Sequence, residues 1–422
     1  MPLLDLFLHD QFVGSVEADP RDRTRVILKV DPQYSPSIAL SESFAAIPGR
    51  RPPGDAVSNF LGGYVPEGHH REKMAAKRHI DPTDLMALLT QFGGSIAGAV
   101  TLRPPDESPA WRPDYEPLSE PALVAKLSQA ITESDQGIPA DSRSTLPGYQ
   151  PKVLVASSDG QWVYPHGRAH STHILKPQIP ARPSRLVDEH YSHLLARRLG
   201  LADFASEIRT AGPLTYLAIE RYDRTGHADD VLLHHQEDLA QAMGLDWRDT
   251  DVKFQEPDWP ADPRRATVGR IAAVLGSIPG GGGLVESWIR HLTYHVAIGN
   301  NDSHAKNIAL LRLPEGSRLA PVYDAVPNLF QEGLVSHDLA LAVNGLFDHR
   351  RMSVENLLAE IASWRIVPEQ RAATIMTRLL GQLAQALAEV AVPPGVSPGM
   401  IERLIWNTDQ LLHGRAISEP KN

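Results

Sequence analysis

The stretch Gly299–Val326, GNNDSHAKNIALLRLPEGSRLAPVYDAV, decides how the rest of the chain is read. It follows Leu284–Ile298, where apolar residues recur at helical spacing and stop at a glycine, a common helix end. Asp302, His304, Lys306 and Asn307 come next, so this part reads as a polar loop. Ile308–Leu311 predicts a short buried strand. After a turn at Pro314, Glu315 and Gly316, the apolar run Leu319–Tyr323 is expected to return beside it and deliver Asp324 at its end. Two carboxylates and a carboxamide then converge.

That set suits phosphoryl transfer, which needs a carboxylate to orient and deprotonate a hydroxyl and oxygen ligands to hold Mg2+ against nucleotide phosphates. Asp302 fits the first role, Asn307 and Asp324 the second. Protein kinases space an Asp, an Asn about five residues on and a second Asp after a following strand in this way. The flanking residues differ: no HRD precedes Asp302, and Tyr323-Asp324-Ala325 stands where DFG would. Any one of these residues alone caps a turn as readily. Their combination carries the reading.

Composition bounds the alternatives. With 422 residues the chain has room for two or three compact units, and 42% hydrophobic with 22% charged residues is ordinary globular usage. A net charge of -10 disfavours direct nucleic-acid binding through a broad basic face. The absence of cysteine excludes disulfides, thiolate metal sites and cysteine nucleophiles. The N-terminus MPLLDLFLHDQFVG has no basic n-region, and no apolar run reaches about 18 residues, so neither a signal peptide nor a membrane span is expected and the cytoplasm is the expected location.

Along the chain, residues 1–40 alternate apolar and polar, predicting a small antiparallel sheet turned at Gly14 and Pro20. From Asn59 the text predicts two short helices, an N-cap within Asp81–Asp84, a stop at Gly93-Gly94 and a strand at Ala97–Leu102. His69-His70 reads as a surface pair, because adjacent residues on a helix point different ways. Arg103–Pro117 is Pro-rich and reads as a linker. Lys152–Ala156, Trp162–Tyr164 and Thr172–Lys176 predict strands. Ser144, Thr145 and Gly148 precede the first of them, in a flexible segment able to turn backbone N–H groups toward phosphate. Lys176, on a short apolar strand, is suited to reach phosphates if a carboxylate holds it, with Asp188 and Glu189 at the start of the next helix as the available partners. The strand of PLTYLAIERYDR emerges through Glu220, Arg221 and Tyr222, where a two-lobed kinase has its adenine-binding hinge. From His234 onward the pattern is mainly helical, opening with QEDLAQAMGL; Gly280–Gly283 lacks a following GK[ST] and reads as a flexible loop. Val354–Trp364, Pro368–Val390 and Met400–His413 predict helices.

With these residues in view, the chain resembles the HipA family of toxin serine/threonine kinases over nearly its full length. The likeness is carried by GNNDSHAKNIALL with VYDAVP, and by THILKP, VDEHYSHLLARRLGL, IERYDR, HQEDLAQAMG, FLGGYVPEG and GGSIAGAVTL. It implies an α+β, two-lobed protein-kinase-like fold: an N-terminal subdomain over residues 1–104, a kinase N-lobe over 105–224 and a helical C-lobe over 225–422. It implies ATP and Mg2+ as cofactors, Asp302 as catalytic base with His304 and Lys306 in its loop, Asn307 and Asp324 as the metal pair, Lys176 as the phosphate-binding lysine and Glu220–Tyr222 as the hinge. Ser144, Thr145, Gly148 and Lys152 match the nucleotide-facing loop. The family's regulatory serine lies seven residues before the lysine of a GxQxK pattern; counted back from Lys152 in GYQPK, that position is Thr145, next to Ser144. The resemblance further implies a protein substrate such as an aminoacyl-tRNA synthetase, growth arrest, and a small helix-turn-helix antitoxin (HipB-like) through which operator DNA is reached.

Two rivals stand beside this reading. One is a kinase-shaped binding protein without activity, against which Lys176, Asp302, Asn307 and Asp324 are all present. The other is a metallohydrolase built on His291 and His295, four apart on one helix face, with Asp302 and His304 close in sequence; the Glu of HExxH is missing.

Overall fold

The computed structural model describes residues 3–107, 112–133, 143–148, 150–228, 230–331 and 336–418. The chain divides into two compact units, each assembled from separate segments. One comprises Met1–Pro177, Arg209–Thr250 and Leu311–Gly316; the other comprises Gln178–Ile208, Asp251–Leu310 and Ser317–Asn422. The fold class is α+β, with most of the sheet in the first unit and most of the helix in the second.

The first unit opens with β1 (Leu3–Leu8), β2 (Gln11–Ala18) and β3 (Val26–Val30), followed by α1 (Gly54–Gly62), α2 (Gly68–Lys77), α3 (Leu85–Phe92) and β4 (Val100–Arg103). The strands form an antiparallel sheet in the order β3-β2-β1-β4. Its alternation buries Leu4, Leu6, Val16 and Leu28 in one cluster with Phe60 and Leu61 of α1 and Leu88 and Leu89 of α3. The first turn falls at His9 and Asp10, not at Gly14. Gly14 instead lies inside β2 beside a register shift, where a Cβ would come 2.1 Å from the Lys29 carbonyl oxygen. Three helices form where two were expected, because α1 begins five residues before the stretch that suggested it, with Val57 already in the core. Asp84 caps α3 by accepting the Ala87 N–H at 2.9 Å, and Gly93 comes after its last turn.

Next come β5 (Asp114–Pro117), α4 (Glu120–Glu133), β6 (Val153–Ser158), β7 (Gln161–His166), β8 (His173–Pro177), α5 (Arg185–Arg198), β9 (Ser206–Ala211) and β10 (Leu214–Glu220). A six-stranded sheet runs β5-β7-β6-β8-β10-β9. The end of the expected linker is therefore an edge strand, a place where Pro117 is tolerated; residues 108–111 of that linker lie outside the described residues. Leu123 and Leu127 of α4 cluster with Val153, Val155, Leu175 and Tyr216 of the sheet. A hairpin of β11 (Arg224–His227) and β12 (Asp230–Leu233) precedes β13 (His235–Asp238) and the short α6 (Leu239–Ala242). The QEDL text thus opens as a strand. Asp238 and Gln241 form a capping box that starts the helix only afterwards.

The second unit contains α5 and continues with α7 (Val268–Ser277) and α8 (Gly281–Ile298). The glycine run is not a loop: Gly281–Gly283 make the first turn of α8, and a Cβ on Gly281 would meet the Leu275 carbonyl at 2.2 Å. After α8 come the hairpin strands β14 (Ala309–Leu313) and β15 (Gly316–Leu319), inside which the unit boundary falls, then β16 (Asp338–Val343), β17 (Leu346–Asp348), α9 (Val354–Trp364), α10 (Glu369–Glu389) and α11 (Met400–Leu412). Apolar spacing of three and four puts Leu379, Leu380 and Leu383 of α10 in the interior. Among the described residues no helix is long and apolar enough to cross a membrane.

Candidate active site

The loop after α8 is built from its carbonyl groups outward. Gly299 ends the helix in the left-handed conformation (φ 67°), and a side chain there would strike the Phe330 ring. Asn300, almost wholly buried, was not singled out from the sequence, yet it organises the loop after α8. Its Oδ1 accepts the Asp302 N–H at 3.1 Å, and its Nδ2 donates to His295 Nδ1 at 3.0 Å. The Asp302 carbonyl then accepts from the His304 N–H at 2.9 Å and from Asn307 Nδ2 at 2.8 Å, closing a single 3-10 turn over Ala305–Asn307. Spacing alone showed neither anchor, because both depend on which way an amide side chain turns.

This geometry separates the roles. The Asp302 side chain is 43% exposed. Asn307 spends its amide N–H on the loop, which leaves its Oδ1 as the atom able to face a cation. His304 is buried edge-on against Phe254, with ring centroids 4.9 Å apart, and its Nε2 lies 3.8 Å from Asp302 Oδ1. It supports the carboxylate from the side. Lys306 contributes its carbonyl, which accepts the Tyr323 hydroxyl at 2.8 Å.

Asp324 is reached differently from the expectation. β15 ends at Leu319, and Ala320–Tyr323 runs on without strand pairing after the Ala320 N–H bonds the Ala309 carbonyl at 2.8 Å. Asp324 itself has φ 50°, a left-handed conformation that a non-glycine residue adopts only when its surroundings enforce it. The Tyr323 bond to Lys306 ties this turn to the loop after α8 within the second unit. Asp188, also in this unit, receives the Ser397 N–H at 2.8 Å, the Ser397 hydroxyl at 2.6 Å and Gln331 Nε2 at 3.2 Å. It is thereby committed to α5 and the 397 turn.

In the first unit, Lys176 is buried on β8, opposite Leu217 of β10. Lys152 is buried and donates to the Pro147 carbonyl at 2.7 Å, so it braces the preceding segment. Ser144 and Thr145 are buried too, not exposed on a flexible loop; Thr145 has no accessible surface. Gly148 takes φ 113°, and its carbonyl meets His70 Nδ1 at 3.1 Å. His70 is therefore interior and only His69 is at the surface, since the helix turns the two apart. Tyr149 lies outside the described residues.

The hinge stretch also differs. Glu220 ends β10 with its side chain exposed, and the Tyr222 hydroxyl bonds Gln236. Arg221 has its N–H on the Thr172 carbonyl at 2.9 Å and its carbonyl on the Arg224 N–H at 3.1 Å, so its backbone is not open to a base. Its side chain turns inward and grips Asp223 through Nε at 3.0 Å and Nη2 at 2.8 Å. Burial works against the Asp223 carboxylate, but the Arg221 and Arg224 charges outweigh it and hold its pKa well below the usual range. Burial first, and then the neighbouring Arg221 charge, bring Arg224 down to about 9.

The histidine pair of α8 does not make a metal site. His295 Nδ1 accepts from an amide N–H, so its proton sits on Nε2 and no ring lone pair remains for a cation. Burial lowers the pKa of His295 to about 4 and that of His291 to about 3. Among the described residues no three His, Asp or Glu side chains gather into a metal-holding group.

Known proteins resemble the chain over most of its length. Residues 4–103 match the HipA N-terminal domain and residues 144–387 the HipA-like C-terminal domain. Y4mE of Sinorhizobium fredii, which carries a provisional kinase name, is 29% identical over 349 residues, covering 78% of each chain. The serine/threonine-protein kinase toxin HipA of Shewanella oneidensis is 23% identical over 346 residues, covering 80% of this chain and 78% of its own. A solved Shewanella oneidensis assembly of HipA, HipB and operator DNA superposes with a TM-score of 0.79 at 20% identity, covering 97% of this chain and 96% of that one.

Proposed function

The chain belongs to the HipA family, and from that premise we propose that it is an ATP- and Mg2+-dependent serine/threonine-protein kinase acting as the toxin of a toxin-antitoxin pair. The observation that carries the reading is the bond from Asn307 Nδ2 to the Asp302 carbonyl. It presents a carboxylate and an amide oxygen from one tight turn, with Asp324 fastened alongside through Tyr323.

The residues fit a metal-nucleotide. Asn307 Oδ1 and the Asp324 carboxylate are hard oxygen donors suited to Mg2+, and Lys176 supplies the cation for phosphate. When bound, ATP with Mg2+ supplies the transferable phosphoryl group. Asp302 orients the acceptor hydroxyl and takes its proton, helped by His304, which restricts the carboxylate from the side. The segment of Ser144 and Gly148 would hold the nucleotide's phosphates, and the backbone of Glu220 and Tyr222 would hold its base. Thr145, one residue past Ser144, is the regulatory position by spacing, with Ser144 the alternative.

The acceptor is a serine or threonine of a translation protein, an aminoacyl-tRNA synthetase in the first instance, and the setting is the cytoplasm. A helix-turn-helix antitoxin supplies the DNA contacts that a chain of net charge -10 is poorly suited to make. The test compares phosphoproteomes of cells expressing wild type and Asp302→Asn, together with growth rate and with affinity purification from the native cell. New phosphoserine or phosphothreonine sites and slowed growth are expected only with Asp302 intact, and a small helix-turn-helix protein is expected in the purified complex. Identical phosphoproteomes would overturn the kinase reading.

A further inference from the structure

The segment Arg143–Gly148 has its bonding partners mainly among the first hundred residues. The Arg143 guanidinium donates from Nε to the Thr90 carbonyl and from Nη2 to the Leu102 carbonyl, both at 2.9 Å. The Arg143 carbonyl accepts the N–H of Gly94 at 3.0 Å and of Ser95 at 3.1 Å. Ser144 bridges Ser95 in parallel, and the Thr145 N–H donates to the Ser95 carbonyl at 3.1 Å. At the far end the Gly148 carbonyl can only accept, so the His70 ring proton lies on Nδ1. These partners all fall within the N-terminal domain match, whereas Ser144–Gly148 open the C-terminal one, with Arg143 just before it.

The platform is itself bonded by a third segment. Asp223 accepts the Gly98 N–H at 2.7 Å, Arg224 donates to the Gly98 carbonyl at 2.7 Å, and Arg221 and Arg224 both donate to the Ile96 carbonyl at 3.3 and 2.5 Å. The buried ion pairs of the hinge stretch therefore hold the Ile96–Gly98 end of the turn while the segment bonds its Gly94–Ser95 end. Gly94 has to be glycine for the two to meet: a Cβ would fall 2.8 Å from the Arg143 Cβ and 2.9 Å from the Arg168 Cβ.

We infer that the Gly94–Gly98 turn of the N-terminal domain seats the nucleotide-facing segment and that Arg143 is the positioning residue latching it there. The first domain thus sets how well the second holds its nucleotide, a consequence that rests on the kinase reading. Removing the Arg143 fork, or wedging a methyl at Gly94, lifts the segment without touching Asp302, Asn307 or Asp324.

The test is hydrogen exchange by mass spectrometry on the full chain, comparing wild type with Arg143→Ala, Gly94→Ala and Arg143→Lys, alongside ATP kinetics. Peptides covering 143–148 are expected to exchange about tenfold faster in the first two variants and at an intermediate rate in the lysine variant, with β6 and α3 unchanged. The KM for ATP is expected to rise about tenfold while kcat falls less. If Arg143→Ala does not fold, Arg143→Gln keeps the aliphatic stem and loses the fork. Wild-type exchange in every variant overturns the latch, and so does acceleration spread evenly over β6 and α3. Localised acceleration in a protein that shows no ATP-dependent phosphorylation upholds the latch and overturns the kinase reading instead.

Discussion

The Tyr323 hydroxyl donates to the Lys306 carbonyl at 2.8 Å, joining the residue before one candidate site aspartate to the turn that carries the other. Neither residue needs to touch substrate for this bond to matter. It ties the turn of Asp324 to that of Asn307, the pair proposed to hold one cation. Tyr323→Phe keeps the ring and removes only the hydroxyl. We expect stability to fall by about 1 kcal/mol, and kcat/KM to fall about tenfold, with a raised Mg2+ requirement. Denaturant unfolding and a Mg2+ titration of the phosphorylation rate check both. An unchanged Mg2+ requirement would show that the bond does not position Asp324.

Asp324 separates backbone strain from chemistry. At φ 50° a residue with a side chain is strained by on the order of 1 kcal/mol, and glycine is not. Asp324→Gly is therefore expected to be at least as stable as wild type, whereas Asp324→Ala keeps the strain and is less stable than the glycine variant. Both lose the carboxylate, so both are expected to lose Mg2+-dependent nucleotide binding. Calorimetric melting and nucleotide titration make the comparison, and Mg2+-dependent binding retained in the glycine variant would remove Asp324 from the metal pair.

Much of the architecture was legible because it derives from periodicity. α8 through α11 and the strands around Lys176 repeat apolar residues at three to four or at two, and end where glycine or polar residues interrupt them. α7 and β16 were missed: α7 comes after a Pro-rich insertion and β16 is an almost continuous apolar run, a pattern that does not separate strand from helix. The site residues on the loop after α8 were named from spacing. Asn300, Tyr323 and Arg143 were not, because each acts through one side-chain bond to a group distant in sequence or turned by the backbone. The left-handed turn at Asp324 was hidden because the apolar run Leu319–Tyr323 before it read as a strand with Asp324 at its end.

Asn300 tests whether the loop is held by its cap. Its Oδ1 serves the Asp302 N–H, and its Nδ2 serves His295, from a position almost wholly buried. Asn300→Ala leaves both partners unsatisfied, which costs about 1–3 kcal/mol for a buried group. Because the loss falls on the Asp302 turn, kcat is expected to drop about tenfold or more with a smaller change in the KM for ATP. Steady-state kinetics with urea unfolding check this, and an equal effect on both kinetic constants would mean the turn is held by other bonds.

His295 makes the second unit sensitive to acid. Burial lowers its pKa from the ordinary 6.5 to about 4, so the folded protein keeps it neutral while the unfolded chain protonates it near 6.5. The unfolded state then binds the extra proton throughout the interval between those values. Its contribution to stability is complete above pH 6.5 and is lost as the pH falls toward 4, at about 1.4 kcal/mol per pH unit for one histidine. His291, lowered to about 3 by burial and by His295, adds a second proton over an overlapping range. His295→Gln retains an acceptor for Asn300 Nδ2 and deletes the titrating ring. The variant is expected to lose stability less steeply than wild type between pH 6.5 and 4.5, with the difference close to one proton. Urea midpoints across that range measure the slope, and parallel pH profiles for the two proteins would mean that His295 protonates equally in the folded and unfolded states.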